Sequence, residues 1–184
     1  MRTLILTLVL ASAFFSVGCA TAPETKRERT DLVVQAKATM AKFKKEKPGY
    51  HKAYNGSAKG VAIFPSIGKG GYFLGGAYGQ GVVLQNGKVV GYCKIEQLTA
   101  GFQLGGQAYS QIIFFGTKDA LSSFKQGEIA GAAAASAVAI KADAAATANY
   151  SNGVASFAFD SSGAMYEATV GGQKFSFIAK ETFE

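Results

Sequence analysis

The sequence predicts an α+β fold in which one long helix precedes a series of antiparallel strands. Two observations carry this prediction: a helical pattern with start and stop signals at residues 25–50, and repeated turn signals between short apolar runs after residue 57. The 184 residues include 23 Gly, 14 Phe and 8 Tyr, which favours closely packed strands and tight turns. A hydrophobic fraction of 48% and a charged fraction of 17% fit one compact domain.

The first eighteen residues have the pattern of a signal peptide. Met1 and Arg2 form a short positive end, and the apolar run TLILTLVLASAFFS is shorter than the roughly 20 residues needed to span a bilayer. We therefore expect residues 1–18 to be removed on export. Ser16 and Gly18 precede Cys19 in a way that resembles a bacterial lipobox, although a leucine usually stands where Ser16 does. Cleavage by an ordinary signal peptidase is the alternative.

Cys19 is the predicted lipidation site, where fatty acyl chains such as palmitate would be attached. Residues 19–29 then form the lipidated N-terminus and a polar tether. Ala20 is not the aspartate associated with inner-membrane retention, so we expect a lipid-anchored protein of the bacterial cell envelope, in the outer membrane and facing the periplasm. Acylation of Cys19 leaves Cys93 without a disulfide partner, and we expect Cys93 to be a small buried hydrophobic residue.

A helix of about twenty residues is predicted from Thr25 onward. Thr25 and Glu28 have capping-box spacing, and Pro-Gly-Tyr at 48–50 supplies a stop. An apolar stripe recurs at steps of three and four residues. Its members are Leu32, Val33, Ala36, Met40 and Phe43.

Two interpretations of this stripe stay open. In the first, the stripe packs on the domain and the neighbouring lysines are solvated. In the second, the stripe lies in a membrane interface while the lysines reach anionic head groups. Between residues 24 and 47 there are eight Lys or Arg and four Asp or Glu, an excess of +4. At about 1 kcal/mol per basic residue, this excess supplements a lipid anchor but does not replace it.

Turn signals divide the rest of the chain into short strands. Asn86-Gly87 between two apolar runs is the strongest hairpin signal, because both central positions of a type I′ turn need a positive φ. Further turns are predicted at residues 152–153, 160–163 and 171–172. Residues 118–126 predict one short later helix, with Ala120, Leu121 and Phe124 on one side. Residues 128–148 fit a helix by alanine propensity and a strand by alternation, so their structure stays open at this point.

The glycine-rich segment 63–81 predicts a sheet and not a phosphate-binding loop. It lacks Gly-x-Gly-x-x-Gly spacing, and no Ser or Thr follows Lys69 or Lys88 as a P-loop requires. Two distant cysteines and the single histidine, His51, supply no zinc site or catalytic set, and we expect His51 in a loop or at the surface. The sequence thus predicts no catalytic residues, no metal and no cofactor. The net charge of +7 favours an anionic partner, and export argues against nucleic acid.

Three motifs in order along the chain carry a family resemblance. AKGVAIFPSIGKGGYFLGGAYGQGVVLQNGKVVGYCKI, GFQLGGQAYSQIIFFGTKDALSSF and GAMYEATVGGQKFSF are similar to the opening, the central strand with its helix, and the closing hairpin of one family. Together they resemble the SYLF family, also called the Ysc84-type actin- and lipid-binding domain, in its bacterial lipoprotein branch. The departures are Cys93 in place of a frequent aromatic residue, Phe102 in place of a leucine, and a more alanine-rich segment before residue 150.

The resemblance implies a curved, largely antiparallel β-sheet or barrel-like body over residues 30–184, flanked by helices and without catalytic residues. It favours strands for residues 128–148. It also implies lipid contact through the N-terminal amphipathic helix. The matching positions are Lys37, Lys42, Lys44 and Lys45. We therefore expect a non-enzymatic envelope lipoprotein that binds membrane surfaces, anionic phospholipid included. The alternative is an envelope protein–protein interaction module that is anchored by its lipid and does not itself recognise lipid.

Overall fold

The computed structural model describes residues 22–71, 74–100, 107–128, 149–160, 165–167 and 172–183. These residues form an α+β domain, as predicted. The helices are α1 (Lys26–Glu46), α2 (Pro48–Ser57) and α3 (Lys118–Lys125). The strands are β1 (Gly60–Gly71), β2 (Leu74–Gln85), β3 (Lys88–Ala100), β4 (Gln107–Phe115), β5 (Val154–Asp160), β6 (Met165–Glu167) and β7 (Gln173–Ala179), and a 3-10 turn at Lys180–Phe183 follows β7. The predicted signal peptide, Cys19, residues 129–148 and most of the 160–163 turn lie outside the described residues.

The seven strands form one antiparallel sheet in the order β6-β5-β4-β1-β2-β3-β7. The sheet is not closed, because β6 and β7 are its two edge strands among the described residues. It is nevertheless strongly curved, since the Gln111 side chain in β4 reaches the Gln173 side chain in β7 although three strands separate β4 from β7. Of the two predicted forms, the curved open sheet is therefore the one observed.

A buried amide pair holds this curvature from the inside. Gln111 Nε2 donates to Gln173 Oε1 at 3.2 Å, and Gln173 Nε2 donates back to Gln111 Oε1 at 3.3 Å. Gln111 Nε2 also donates to the hydroxyl oxygen of Ser156 in β5 at 2.8 Å. All three side chains are buried, and a buried amide without partners is strongly unfavourable. The pair therefore favours one distance between β4 and β7.

A β-bulge at Pro65 adjusts the register of β1, and two glycines make room for it. Ile63 pairs with Val82 but Ser66 pairs with Gln80, so β1 carries one extra residue there. A Cβ on Gly81 would lie 2.5 Å from the Ile63 carbonyl oxygen, and one on Gly79 would lie 2.7 Å from the Ser66 carbonyl oxygen. The prediction that the glycine-rich segment forms a sheet is confirmed, and close backbone approach explains these two glycines.

Each face of the sheet has its own core. On the inner face, toward which the sheet curves, α3 inserts Phe124 between Phe115 and Phe175, with ring centroids 4.9 and 5.1 Å away. The predicted helix at 118–126 is confirmed, and Ala120 and Leu121 are buried with Phe124. On the outer face, α1 and α2 cover the other side of β1, β4 and β5.

Helix α1 begins and ends as predicted, but a second helix that was not predicted follows it. The Thr25 hydroxyl oxygen accepts a hydrogen bond from the Glu28 N–H, and the Glu28 carboxylate accepts one from the Thr25 N–H, both at 3.1 Å. Helix α1 stops at Glu46, and Pro-Gly-Tyr then begins α2. Of the two positions expected for His51, the loop is wrong, because Pro48 occupies the first turn of a helix, where its missing N–H would have no partner anyway. The His51 side chain is partly exposed.

The apolar stripe of α1 is occupied by the domain's own sheet. Leu32, Ala36 and Phe43 are buried, while Val33 and Met40 are partly buried against the same core. The Phe43 ring lies 5.7 Å from Phe114 and 5.6 Å from Phe157, centroid to centroid. Tyr54 of α2 packs on the same two rings, at 5.8 and 5.0 Å. One aromatic cluster thus joins both helices to β4 and β5.

The predicted Asn-Gly turns are confirmed. Asn86 and Gly87 have φ values of 52° and 74° and join β2 to β3 directly. Asn152 and Gly153 have φ values of 49° and 77° and form a tight turn just before β5. Both turns therefore have the positive φ pair that the asparagine and glycine were expected to provide.

The Phe43 contacts predict a large effect on stability. Phe43→Ala should lower the free energy of unfolding by about 3–5 kcal/mol, because it removes a fully buried ring from the junction of two helices and two strands. Urea unfolding followed by circular dichroism measures the loss. Val34→Ala on the same helix, where Val34 is 61% exposed, is the control and should change stability by less than about 0.5 kcal/mol. A loss below about 1 kcal/mol for Phe43→Ala would contradict the packing described.

The buried amide pair predicts non-additive mutations. Gln111→Leu or Gln173→Leu alone should cost about 1–3 kcal/mol, because each leaves the other amide buried without its partner. The double variant should cost less than the sum of the two, and a double-mutant cycle by urea unfolding measures the difference. Gln35→Leu, at an exposed position of α1, controls for the substitution itself. Strict additivity would show that the two amides do not act as a pair.

Candidate functional site

Almost all of the net charge resides in the N-terminal helical segment. Residues 22–59 contain ten Lys or Arg and four Asp or Glu, whereas residues 60–184 contain eight of each. The sheet part of the chain is thus balanced, and the segment that forms α1 and α2 carries a charge of +6. A functional surface for an anionic partner is therefore expected on the helices.

The buried stripe determines which side of α1 faces solvent. Each residue advances about 100° around a helix, and nine exposed residues of α1 fall in one sector about 120° wide that begins beside the buried stripe, at Lys26 and Lys44, and ends at Ala38. We call this sector the outward face of α1. Its members are Lys26, Arg27, Thr30, Val34, Lys37, Ala38, Ala41, Lys44 and Lys45, and all are exposed. Five are cationic and none is acidic, and the cations extend along about 28 Å of the helix axis.

The acidic residues of α1 lie to one side of this face. Glu28, Asp31 and Glu46 are separated from its centre by roughly 70° or more around the axis. Asp31 approaches Arg27 with an N···O distance of 3.9 Å, at the border between the two regions. Because this pair is exposed, it adds little to stability and leaves the cation accessible. The charges of α1 are therefore segregated around the helix.

The structure brings three of the four predicted lysines together. Lys37, Lys44 and Lys45 are exposed on the outward face. Lys42 lies on the acidic side, where its ammonium is 3.9 Å from a Glu46 carboxylate oxygen and 5.6 Å from the centre of the Phe159 ring. Lys42 is thus only partly exposed and turned toward the sheet.

Two cations of the outward face were not among the predicted site residues. Lys26 and Arg27 belong to the first turn of α1, whereas the sequence prediction placed both in the polar tether and began the domain at residue 30. The capping box at Thr25 was the signal that could have included them. The helical wheel then places Lys26 in line with Lys37 and Lys44.

His51 connects the basic helix to the aromatic cluster. Its ring is half-buried, and its centroid lies 6.3 Å from that of Phe43. Burial lowers the pKa of His51 below its ordinary value of 6.5, and the positive charge of Lys44 lowers the pKa further. His51 is therefore neutral at pH 7, and the fold favours the neutral ring.

The other candidates for chemistry in the described part of the chain are Cys93 and a metal site. Cys93 is fully buried in the inner core, as expected, and burial raises the pKa of its thiol well above the ordinary range. Over the described ranges, no three His, Cys, Asp or Glu side chains lie close enough to hold a metal ion. Of the helices described, none has the length and apolar character needed to cross a membrane.

Comparison with known proteins assigns neither a family nor a function to the chain. No model of a protein family matches the chain, and no curated protein is similar to it at a significant level. The resemblance to the SYLF family therefore stays a prediction.

The environment of His51 predicts a pH dependence. Because the folded-state pKa is depressed, the unfolded chain binds a proton first as the pH falls below about 6.5, so stability should decrease between that pH and the lower folded pKa. Since His51 is the only histidine, an NMR titration of the untagged protein reports its midpoint directly. Lys44→Gln should raise the midpoint, and Lys45→Gln should leave it nearly unchanged. A wild-type midpoint at or above 6.5 would contradict this account.

Proposed function

We propose that this protein is a lipid-anchored, non-enzymatic domain of the bacterial envelope that lays the outward face of α1 on an anionic membrane surface. The observation that carries the proposal is the segregation of charge on that helix. Its apolar stripe is buried on the sheet, and its exposed outward face carries five cations, with the Asp31 carboxylate about 20° beyond the edge of that face. Such a surface complements anionic phospholipid head groups.

The proposed contact is electrostatic and leaves the domain folded. Removing Phe43 from its aromatic cluster to insert the stripe into lipid would cost about 3–5 kcal/mol before any gain. The outward face needs no such change, because its lysines already point to solvent. Val34, which is 61% exposed near the middle of the face, is the one large apolar side chain that would meet the interface. Each cation near the surface contributes about 1 kcal/mol, and salt weakens this attraction.

Acylation of Cys19 would complement this surface. Lys26 lies seven positions after Cys19, and an extended chain of that length spans at most about 25 Å. A lipid at Cys19 would therefore hold the start of α1 close to the bilayer, where even weak attraction orients the domain. Stable membrane attachment commonly uses two such signals together. Lipid contact through the N-terminal helix in the SYLF family is consistent with this arrangement.

Charge reversal on the outward face should abolish most of the binding. The test uses residues 22–184, without Cys19, in co-sedimentation with phosphatidylcholine vesicles that contain or lack phosphatidylglycerol, at low and at high salt. We expect wild type to bind only the anionic vesicles and to dissociate in high salt. Lys37→Glu/Lys44→Glu should weaken binding by roughly tenfold or more, because two favourable contacts become repulsive.

A matched double variant separates this surface from net charge. Lys118→Glu/Lys174→Glu makes the same charge change at exposed positions of α3 and β7, away from α1. It should bind the anionic vesicles nearly as well as wild type. Equal loss in both double variants would show unspecific attraction, and no binding by wild type would favour the alternative of an anchored protein–protein interaction module.

A further inference from the structure

A second basic region lies where the first turn of α1 meets the end of the chain. A cavity of about 620 Å³ lies between these two segments and β3. Lys26 and Arg29 line it from α1, Lys180 and Phe183 from the 3-10 turn, and Tyr92 from β3. This volume is in the range of sites for small ligands.

The charged residues that line the cavity in the described part of the chain are all cationic. Lys26, Arg29 and Lys180 are three cations, and none of the residues that line the cavity in the described part of the chain carries a carboxylate. Lys26 and Arg29 also lie at the positive end of the α1 dipole, where anions are favoured and cations are not. The nearby Glu28 carboxylate accepts the Thr25 N–H bond of the helix cap. A bound anion would offset the positive charge of Lys26 and Arg29 at this end of α1.

Arg29 is held in place with part of its guanidinium left for a ligand. Its Nη1 donates to the carbonyl oxygens of Pro23 at 3.0 Å and Glu24 at 2.7 Å. The guanidinium carbon lies 4.4 Å from the centre of the Phe183 ring. These contacts account for the two N–H groups of Nη1, and the Nε and Nη2 groups provide three more donors. A guanidinium fixed in this way matches phosphate oxygens with little loss of side-chain freedom.

The wall of the cavity is aromatic. Phe183 is 37% exposed, and its ring packs edge to face against Tyr92 at a centroid distance of 5.6 Å. Val33 and Val89 extend the apolar lining. An exposed aromatic ring beside three cations fits a ligand that combines an anion with a carbon skeleton.

We infer that this cavity binds a phosphate monoester, with the phosphate at Arg29, Lys26 and Lys180 and the carbon part against Phe183. A monoester carries a charge between about −1.5 and −2 at pH 7, which suits three cations better than the single charge of a carboxylate or a phosphodiester. The inference goes beyond membrane contact by the outward face. Lys26 and Thr30 are common to the two surfaces, and the cavity needs no bilayer.

Titration with soluble probes tests the cavity directly. Residues 22–184 are titrated by NMR with inorganic phosphate, phenyl phosphate and, as an uncharged reference, phenol. We expect saturable shifts at Arg29, Tyr92 and Phe183, with phenyl phosphate binding more tightly than phosphate and phenol not binding. Lys180→Gln and Arg29→Gln should each weaken phenyl phosphate binding by about tenfold, whereas Lys174→Gln, a matched change on β7, should not.

Lys180→Gln keeps the test valid if Arg29→Gln disturbs the helix start, because Lys180 lies in an exposed turn. Unchanged binding in Lys180→Gln, or no saturable binding of phenyl phosphate by wild type, would overturn the inference.

Vesicles distinguish a lipid head group from a soluble ester. Phosphatidic acid bears a phosphate monoester and phosphatidylglycerol a diester, so the two are compared at equal surface charge. Preference for phosphatidic acid that Lys180→Gln removes would support a lipid ligand. Saturable phenyl phosphate binding without this preference would support a soluble ester. Lys37→Glu/Lys44→Glu should lower adsorption to both vesicles and leave phenyl phosphate binding unchanged, so failure of membrane contact and failure of the cavity give different results.

Discussion

The packing of Phe43 on the outer face of the sheet is the interaction on which the arrangement of this protein depends. It buries the apolar side of α1 against Phe114 and Phe157, and Tyr54 brings α2 to the same rings. A helix held along one side can present only its opposite side to a partner. Because the lysines alternate with the apolar residues along α1, this burial turns most of them outward. The surface proposed to contact the membrane is thus a consequence of core packing.

The curvature of the sheet determines which distant segments meet. The Gln111 and Gln173 amides join β4 to β7 on the inner face, and the bulge near Pro65 lets β1 bend without moving its apolar residues to the wrong side. Pairing of β7 with β3 then places the 3-10 turn beside the start of α1. Phe183 consequently reaches Arg29, and a cationic cavity forms between the two ends of the domain.

Charge and packing are divided between the two parts of the chain. The sheet is electrically balanced and supplies the core, whereas the helices supply the excess charge. Because residues 60–184 have no net charge, this part of the chain is not attracted as a whole to an anionic surface. In the proposed membrane contact the basic helix would set the orientation, and an acyl chain at Cys19 would act near the same end of α1. This arrangement also lowers the pKa of His51, because its ring is partly buried against the aromatic cluster and lies near the positive charge of Lys44.

The sequence by itself determined the features that depend on residues a few positions apart. Thr25 with Glu28 begins α1, Asn86-Gly87 makes the hairpin, and the short α3 follows from its apolar spacing. It did not reveal α2, because the proline that ends one helix can also begin the next. Whether the apolar stripe packs on the domain or in lipid was decided only by the tertiary structure, as was the meeting of Arg29 with Lys180. Both depend on contacts between segments far apart in sequence, and local patterns do not encode which distant surface a side chain will meet.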